Sequence, residues 1–303
     1  MKHLLSIDVG SKFLKIVQGN GGKSVRTKKE VLAEMPENCV KNGFVTDFER
    51  TAAAIRTVLA KEKITDKKAV VTVSSPDIIV KEMLIPQTNI KNTEQIVANE
   101  LDEYLSGERY AIDYLTYSHA ENTRVMALGI EKKVVDRYRA MLVDAGLTPV
   151  AFDIHANAVR KLVAVTDLIP HSTDMSIILD VGFDLLNFHF FVNGELTYTR
   201  CVCMDMDAYA KSNIGQMYGK TARELGDDVN FNTYVSFIGD EVMKMLQFKA
   251  IGEYKALGVK IYLSGGGARY DGICSMLAEY LNKEVEVLNT KILLNALGAQ
   301  IRI

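Results

Sequence analysis

The chain has 303 residues, of which 48% are hydrophobic and 24% are charged, and its formal net charge is −2 at pH 7. This length predicts two domains, and this composition is typical of a folded globular protein with an ample apolar core. The near-neutral charge gives no general attraction to nucleic acid or to an anionic membrane surface, which argues against both as partners.

Neither the cysteines nor the N-terminus predicts a secreted or membrane-spanning protein. The four cysteines lack the Cys-x-x-Cys spacing of a zinc or redox site and do not suggest a disulfide framework. Asp8 interrupts the apolar run that follows Met1, unlike the apolar core of a signal peptide. No window supplies the roughly 18 apolar residues of a membrane span. We therefore expect a cytoplasmic protein without direct membrane insertion.

The first half of the chain predicts a sheet, helices and an inserted unit. Strands are indicated by apolar alternation and turn residues, and helices by apolar residues three and four positions apart. In chain order we first predict a strand Leu4–Asp8, a returning strand that ends at Val17, a strand Ser24–Met35, a loop Pro36–Asp47 and a helix Phe48–Lys61. Then come strands Ala69–Val73 and Ile78–Ile85 and a helix from Asn92 or Thr93 to about Leu105. The half ends with strands Ile112–Tyr117 and Arg124–Gly129, a helix Lys132–Ala145, a strand Pro149–Ile154 and a helix Ala156–Val165. Residues 74–149 then form a β-α-β-β-α insert in a first domain of residues 1–155.

The second half repeats the opening pattern. We predict a hairpin within Ser176–Phe190, a strand Leu196–Met204, helices over Asp207–Met217, from Thr221 and from Val235 to about Tyr254, a strand Lys260–Leu263 and a helix from about Gly272 to Tyr280. These elements form a second domain of residues 156–303, whose last residues are expected to pack back on the first domain.

The first hairpin carries groups that suit a metal-bound polyphosphate. Its tip contains Gly10, Ser11 and Lys12, so backbone N–H groups and an ammonium can point at an anion. Asp8, at the end of the strand, can hold a hydrated cation. An ordinary hairpin without a ligand fits the same residues.

A second copy of the pattern strengthens the phosphate interpretation. Asp180, Val181 and Gly182 follow another apolar strand and precede another returning strand. Two such hairpins predict two similar halves that face each other across a cleft, with Asp8 and Asp180 on opposite walls.

A glycine run lies in the half that contains the second hairpin. Gly265, Gly266 and Gly267 follow a predicted strand and precede a predicted helix. Such a run allows the backbone to approach a ligand closely, and the helix N-terminus favours negative charge; a plain loop is equally consistent with the pattern.

Together these motifs resemble, in order and spacing, the two phosphate loops and the adenosine loop of the actin-like ATPase superfamily. Further runs, at Ile85-Pro86, Ile112–Tyr114, Ala145–Asp153 and Asn295–Ala299, resemble the PilM-type family of type IV pilus assembly proteins, to which the division protein FtsA is related. The resemblance covers nearly the whole chain. It implies an actin-like ATPase fold: two duplicated α/β domains around a nucleotide cleft, with a small α+β subdomain inserted in the first.

The resemblance also implies a ligand and the residues that hold it. ATP would lie between the loops, with Mg²⁺ held through water by Asp8 and Asp180. The matching positions are, for the first phosphate loop, Asp8, Gly10, Ser11 and Lys12; for the second, Asp180 and Gly182; and for the adenosine loop, Gly265, Gly266 and Gly267.

A membrane partner is implied in the same way. PilM-type proteins capture the cytoplasmic N-terminal peptide of PilN or a counterpart, a bitopic membrane protein, which would recruit this chain to the inner face of the cell membrane. The apolar stripe of the helix that begins near Asn92 could form a peptide groove, although most such stripes are core. We place the predicted partner site at Glu100, Leu101 and Tyr104.

Three departures from the superfamily pattern weaken the case for hydrolysis. Leu185 and Leu186 stand where the second phosphate loop usually offers hydroxyl groups, and Met204–Asp207 replaces a Gly-Gly pair. His155 occupies a position where the family tends to have a glutamate. Losing a water-positioning acid lowers hydrolysis by roughly a hundredfold or more, so any ATPase activity is expected to be weak.

Four functions therefore remain open. The leading hypothesis is a pilus or secretion scaffold that binds ATP and docks a PilN-like partner, with self-association possible. The alternatives are a pseudo-ATPase scaffold without nucleotide, an FtsA-like filament or division protein, and a small-molecule kinase of the same superfamily, for which no pocket acid can be assigned.

Overall fold

The structure, a computed structural model, describes residues 3–86, 91–102, 109–118, 122–172, 174–204, 217, 219–249, 258–288 and 293–302. The strands are β1 (Leu4–Val9), β2 (Phe13–Gly19), β3 (Thr27–Glu34), β4 (Val40–Lys41), β5 (Phe44–Val45), β6 (Lys68–Val73), β7 (Ile79–Pro86), β8 (Tyr110–Ser118), β9 (Asn122–Glu131), β10 (Thr148–Ile154), β11 (Met175–Val181), β12 (Leu185–Val192), β13 (Glu195–Cys203), β14 (Val259–Ser264) and β15 (Glu284–Val287). The helices are α1 (Phe48–Lys61), α2 (Thr93–Asp102), α3 (Lys132–Asp144), α4 (His155–Val165), α5 (Ala222–Gly226), α6 (Val229–Lys249), α7 (Ile273–Leu281) and α8 (Leu294–Ala299).

Two five-stranded sheets share one topology at their centres. The first has the order β10-β6-β1-β2-β3 and the second the order β13-β12-β11-β14-β15. In each, the opening strand pairs antiparallel with the returning strand of its hairpin and parallel with a later strand, β6 or β14. This duplication agrees with the sequence repeat.

Helices cover both faces of the sheets. On the outer face of the first sheet lie α1 and α3, whose buried residues share a core with β1, β2 and β6. On the outer face of the second sheet lie α6 and α7. Between the sheets lies α4, which packs with α8 and contacts β6, β10 and β13. The layers therefore alternate helix, sheet, helix, sheet, helix, and the α/β class predicted from the sequence is confirmed.

The last helix joins the first sheet. It contacts β1, β2 and β6 as well as α4. Gly298 permits this approach, since a Cβ there would lie 2.0 Å from the carbonyl oxygen of Ala158. Gln300 fixes the chain beyond the helix, because its side-chain amide donates to the carbonyl oxygens of Leu4 and Val17.

The insert has a small core of its own. Its three strands have the order β7-β9-β8, and α2 covers one face, with Val97 and Leu101 packed on Ile85, Val125 and Ala127. The following helix, α3, packs instead on α1 and β10. The domain boundaries at residues 74–149 and 155/156 stay predictions.

Most predicted elements lie within a few residues of their predicted bounds, and α1 has the predicted bounds. The segment 36–47, predicted as a loop, contains β4 and β5. Helix α6 begins at Val229 rather than Val235, because the Asp228 carboxylate accepts the amides of Asn230 and Phe231. The helix predicted over Asp207–Met217 lies outside the described residues except for Met217.

Among the described residues, no helix combines the length and hydrophobicity needed to cross a lipid bilayer.

Candidate functional site

The two hairpins make the same turn. The amide of Gly10 donates to the carbonyl oxygen of Phe13 at 3.0 Å, and the amide of Gly182 donates to that of Leu185 at 2.8 Å. A Cβ at Gly10 would lie 3.0 Å from the carbonyl oxygen of Phe13, and one at Gly182 would lie 2.9 Å from that of Leu185. Both turns therefore favour glycine.

A cleft of about 650 Å³ separates the hairpins, part of it open to solvent. Seven of the nine predicted nucleotide-binding residues line it: Asp8, Gly10, Ser11, Lys12, Asp180, Gly182 and Gly266. Further lining residues come from the first domain, from α4 and from β12: Lys15, Gly43, Ser74, His155 and Asn187. The structure thus brings the two predicted phosphate loops to one cleft.

The other two predicted glycines lie behind the cleft, against the second hairpin. Gly265 has φ +84°, and a Cβ there would lie 2.3 Å from Asp180 Oδ1 and 2.5 Å from the carbonyl oxygen of Val181. A Cβ at Gly267 would lie 2.3 Å from Val181 Cγ1. Packing within the protein therefore requires both glycines, with or without a ligand. Their predicted contact with adenosine stays a prediction.

Asp8 is buried at the base of the cleft with two cationic or hydrogen-bonding neighbours. Lys15 Nζ lies 2.8 Å from Asp8 Oδ2, and His155 Nε2 lies 3.2 Å from Asp8 Oδ1. Burial raises the pKa of the Asp8 carboxyl, but the Lys15 ammonium and the His155 ring outweigh burial and hold this pKa well below its ordinary value of 3.8. Asp8 is therefore an anion already paired within the protein.

Asp180 is buried on the opposite wall. The Asn295 side-chain amide donates to Asp180 Oδ2 at 2.8 Å and approaches Asp8 Oδ2 at 3.4 Å. His155 Nδ1 lies 3.9 Å from Asp180 Oδ2. Asn295, from α8, thus connects the carboxylates of the two walls, and His155, from α4, lies between them.

The sites predicted from the sequence do not include Lys15 or Asn295, and His155 enters there only as a departure from the family's glutamate. Lys15 could have been found, since a turn at Gly10 places it opposite Asp8 in the β1–β2 register. Local sequence offers no such signal for the other two, which reach the cleft from helices 147 and 287 residues away from Asp8.

These residues do not fit the predicted metal. Mg²⁺ prefers oxygen ligands and keeps several waters, which themselves donate to carboxylates. Of the four carboxylate oxygens of Asp8 and Asp180, three face N–H groups of the protein, and the fourth, Asp180 Oδ1, lies against Gly265. Within the described residues, no group of three or more His, Cys, Asp or Glu side chains is placed to hold a metal ion.

Among the described residues, four buried polar atoms near the carboxylates have no hydrogen-bond partner: Thr72 Oγ1, His155 Nδ1, Ser264 Oγ and Asn295 Oδ1. Thr72 and Ser264 stand in register with Asp8 and Asp180 on the neighbouring parallel strands. Such atoms normally bond to water or to a ligand, which indicates a polar site between the walls.

The mouth of the cleft is crossed by contacts between the hairpin tips. Lys12 Nζ lies 5.3 Å from the centroid of the Phe183 ring. Leu185 reaches the first domain, where a Cβ added to Gly43 would lie 2.7 Å from Leu185 Cδ1. Leu186 is buried in the core of the second domain. The second hairpin thus presents apolar side chains where hydroxyl groups would suit phosphate.

The predicted partner site divides between core and surface. Leu101, a residue of α2, is fully buried against the strands of the insert, so its side chain is covered by the protein itself. Glu100 is exposed, and Lys81 Nζ lies 2.6 Å from its carboxylate. Tyr104 lies outside the described residues.

A second cleft of about 1210 Å³ lies between the first domain and the insert. Its walls combine apolar and charged side chains from β5, α1, β7, β8, β9 and α3: Phe44, Val45, Phe48, Pro76, Asp77, Ile79, Tyr110, Ile130, Glu131, Lys133, Val134 and Arg137. Sequence reasoning did not predict this cleft, because its lining comes from segments far apart in the chain.

Two duplicated α/β domains with paired hairpin loops at a common cleft define the actin-like class of protein. The family model described as type IV pilus assembly protein PilM matches residues 6–296. This chain belongs to that family. No protein in the curated collection that was searched matches the chain significantly.

Solved structures agree on the fold. A "PilM-PilN type IV pilus biogenesis complex" matches with a TM-score of 0.81 at 18% identity, covering 98% of this chain and 97% of that one. Ethanolamine utilization protein EutJ from Carboxydothermus hydrogenoformans matches with a TM-score of 0.59 at 14% identity, over 99% and 89% of the two chains. MreB 5 of Spiroplasma citri, bound to AMPPNP, gives 0.53 at 11% identity, over 99% and 95%. The predicted actin-like fold is confirmed.

Proposed function

We propose that this chain is a cytoplasmic scaffold of type IV pilus assembly, or of a related secretion machine, that docks the cytoplasmic N-terminal peptide of a PilN-like bitopic membrane protein. Membership of the PilM family supports a role in pilus assembly, and the likeness to a PilM-PilN complex supports a PilN-like partner. Docking would recruit the protein to the inner face of the cell membrane.

The observation that carries the docking proposal is the second cleft. Half-buried apolar side chains such as Phe44, Phe48 and Val134 line it, while Asp77 and Arg137 place both signs of charge there. An apolar floor with charged groups at its sides suits a short amphipathic peptide. Tyr110 begins β8, an edge strand of its sheet among the described strands, so an extended peptide could add to this edge.

Two neighbouring valines on α3 provide a matched test. Val134 lines the second cleft, whereas Val135 lines a different cavity beside Val71 and Phe152, and both are half-buried. Binding of a fluorescently labelled partner peptide is measured by anisotropy. We expect Val134→Lys to weaken binding at least about tenfold and Val135→Lys to leave it within about twofold of the parent.

Equal weakening by the two lysine variants would contradict docking in this cleft. Glu100→Lys in the same assay tests the site predicted from the sequence. Loss of binding in that variant alone would place the peptide on α2 instead.

We further propose that ATP binds in the cleft between the hairpins. The supporting features are the backbone of the two glycine turns, Lys12 and Lys15, and the unpartnered polar atoms around Asp8 and Asp180. Hydrolysis is not part of the proposal. Residue 155 is a histidine, so it offers no carboxylate to orient the attacking water.

A scaffold whose cleft holds no nucleotide is the second candidate. The contact of Leu185 with Gly43 favours it, because an apolar side chain occupies the wall that phosphate would face. Calorimetric titration of the purified full chain with ATP separates the two candidates.

A further inference from the structure

We propose that His155 and Asn295 take the place of a divalent metal in this cleft, so that a nucleotide polyphosphate binds without Mg²⁺. This inference rests on the proposed binding of ATP and adds the ionic requirement of the site. The ligand class that the inference assigns to the cleft is a polyphosphate without a bound metal ion.

The carboxylate oxygens carry the inference. A hydrated metal between two walls needs carboxylate lone pairs that accept hydrogen bonds from its waters. Here lone pairs of both carboxylates already face protein donors: Lys15, His155 and Asn295 at Asp8, and Asn295 at Asp180. A hydrated metal would have to displace these donors.

Lys15 alone would not exclude a metal. Its side chain is long and flexible, so it can leave Asp8 and turn to a phosphate when a ligand enters. His155 and Asn295 differ, because each stands between the two carboxylates. His155 has one ring nitrogen 3.2 Å from Asp8 and the other 3.9 Å from Asp180.

The backbone of both residues is held firmly. His155 is the first residue of α4, a helix packed between the two sheets, and Asn295 lies in α8, packed on α4 and β1. Both side chains are buried, at 8% and 1% exposure. Two buried side chains on packed helices are therefore fixed between the opposed carboxylates, at the point where these would otherwise need a cation.

The deciding experiment is calorimetric titration of the full chain with ATP, once in EDTA and once in excess MgCl₂. For the parent we expect dissociation constants within about threefold of each other in the two buffers. His155→Glu places a third carboxylate beside Asp8 and Asp180. We expect this variant to bind ATP at least about tenfold more tightly in MgCl₂ than in EDTA.

Asn295→Asp is a second variant of nearly the same shape, in case His155→Glu does not fold, and the same dependence on Mg²⁺ is expected of it. The matched control is His171→Glu, the same change at an exposed histidine away from the cleft, which should behave as the parent does. Thermal unfolding in both buffers, without ATP, reports whether each variant is folded and whether Mg²⁺ alone stabilises it.

The results distinguish failure of the metal-free binding from failure of the proposed ATP site. A parent that binds ATP tenfold more tightly with Mg²⁺ overturns the inference and leaves the proposed ATP site standing. Folded variants that show no dependence on Mg²⁺ also overturn it. A parent that binds no ATP in either buffer overturns the proposed ATP site and, with it, the metal-free binding inferred here.

Discussion

The two hairpins share a backbone but bury different chemistry. In the first, Asp8 pairs in register with Lys15; in the second, Asp180 pairs with Asn187. Two positions further along the returning strand, the first hairpin buries Val17 and the second buries His189. The first hairpin therefore contains a buried ion pair, whereas the residue opposite Asp180 in the second is the neutral Asn187.

The tips differ in the same sense. Ser11 and Lys12 form a polar tip on the first hairpin, whereas Phe183 and Leu185, on either side of Asp184, make the tip of the second largely apolar. The apolar tip reaches across the cleft to Lys12 and Gly43. The first tip thus carries the polar and cationic groups, whereas the second mainly contributes contacts across the cleft.

The largest expected effect separates the two aspartates. Asp8→Asn removes the carboxylate that pairs with Lys15, whose side chain is only 13% exposed. Breaking this buried ion pair should lower the free energy of unfolding by about 3 kcal/mol. Asp180→Asn keeps an oxygen that can accept from Asn295 and should cost about 1 kcal/mol. Urea denaturation at pH 7 measures both.

The choice of pH matters for this pair. The folded-state pKa of Asp8 lies below its ordinary value of 3.8, so the ion pair contributes fully above that value and its contribution is lost as the pH falls below it. Equal costs for the two variants at pH 7 would show that Lys15 finds another partner. The two aspartates would then have different partners but contribute equally to the free energy of unfolding.

The second expected effect is a pH dependence that belongs to the second hairpin. Burial lowers the pKa of His189 to about 3, and the charge of the nearby His155 acts in the same direction. Between this value and the ordinary 6.5, the unfolded chain binds the proton and the folded chain does not, so stability falls as the pH falls. From pH 7 to pH 5 the loss should be about 2 kcal/mol.

A neutral substitute isolates this contribution. His189→Gln cannot take up the proton, so its free energy of unfolding should fall by about 2 kcal/mol less than that of the parent between pH 7 and pH 5. His171→Gln, at an exposed site, should follow the parent. If the free energies of unfolding of His189→Gln and of the parent change equally between pH 7 and pH 5, His189 titrates normally and the second hairpin opens readily to water.

The hairpins could be predicted because their signals are local. An apolar strand, an Asp-Val-Gly turn and a returning strand fix Asp8 and Asp180 at strand ends, and the alternation of strands fixes the register. The same reasoning gave α1 its bounds, because Asp47 caps a regularly spaced apolar face.

The rest of the site depends on tertiary packing. His155 and Asn295 reach the carboxylates only because α4 and α8 lie together between the sheets. Leu101 has the spacing of an apolar stripe, which predicts a buried face without telling whether protein or partner covers it; here the insert covers it. The glycine run posed the same ambiguity, since Gly265 and Gly267 accommodate the second hairpin.

The smallest expected effect tests whether the two tips touch in solution. Lys12 and Phe183 are both partly exposed, and a cation over an exposed aromatic ring contributes about 0.5 kcal/mol. A double-mutant cycle with Lys12→Met and Phe183→Leu, measured by urea denaturation, should give a coupling energy of this size. A coupling of zero would mean that the contact between Lys12 and Phe183 does not close the mouth of the cleft in solution. A larger coupling would mean that the apolar tip clamps the polar one, so that a polyphosphate must first release Lys12 from the ring before it can use its charge.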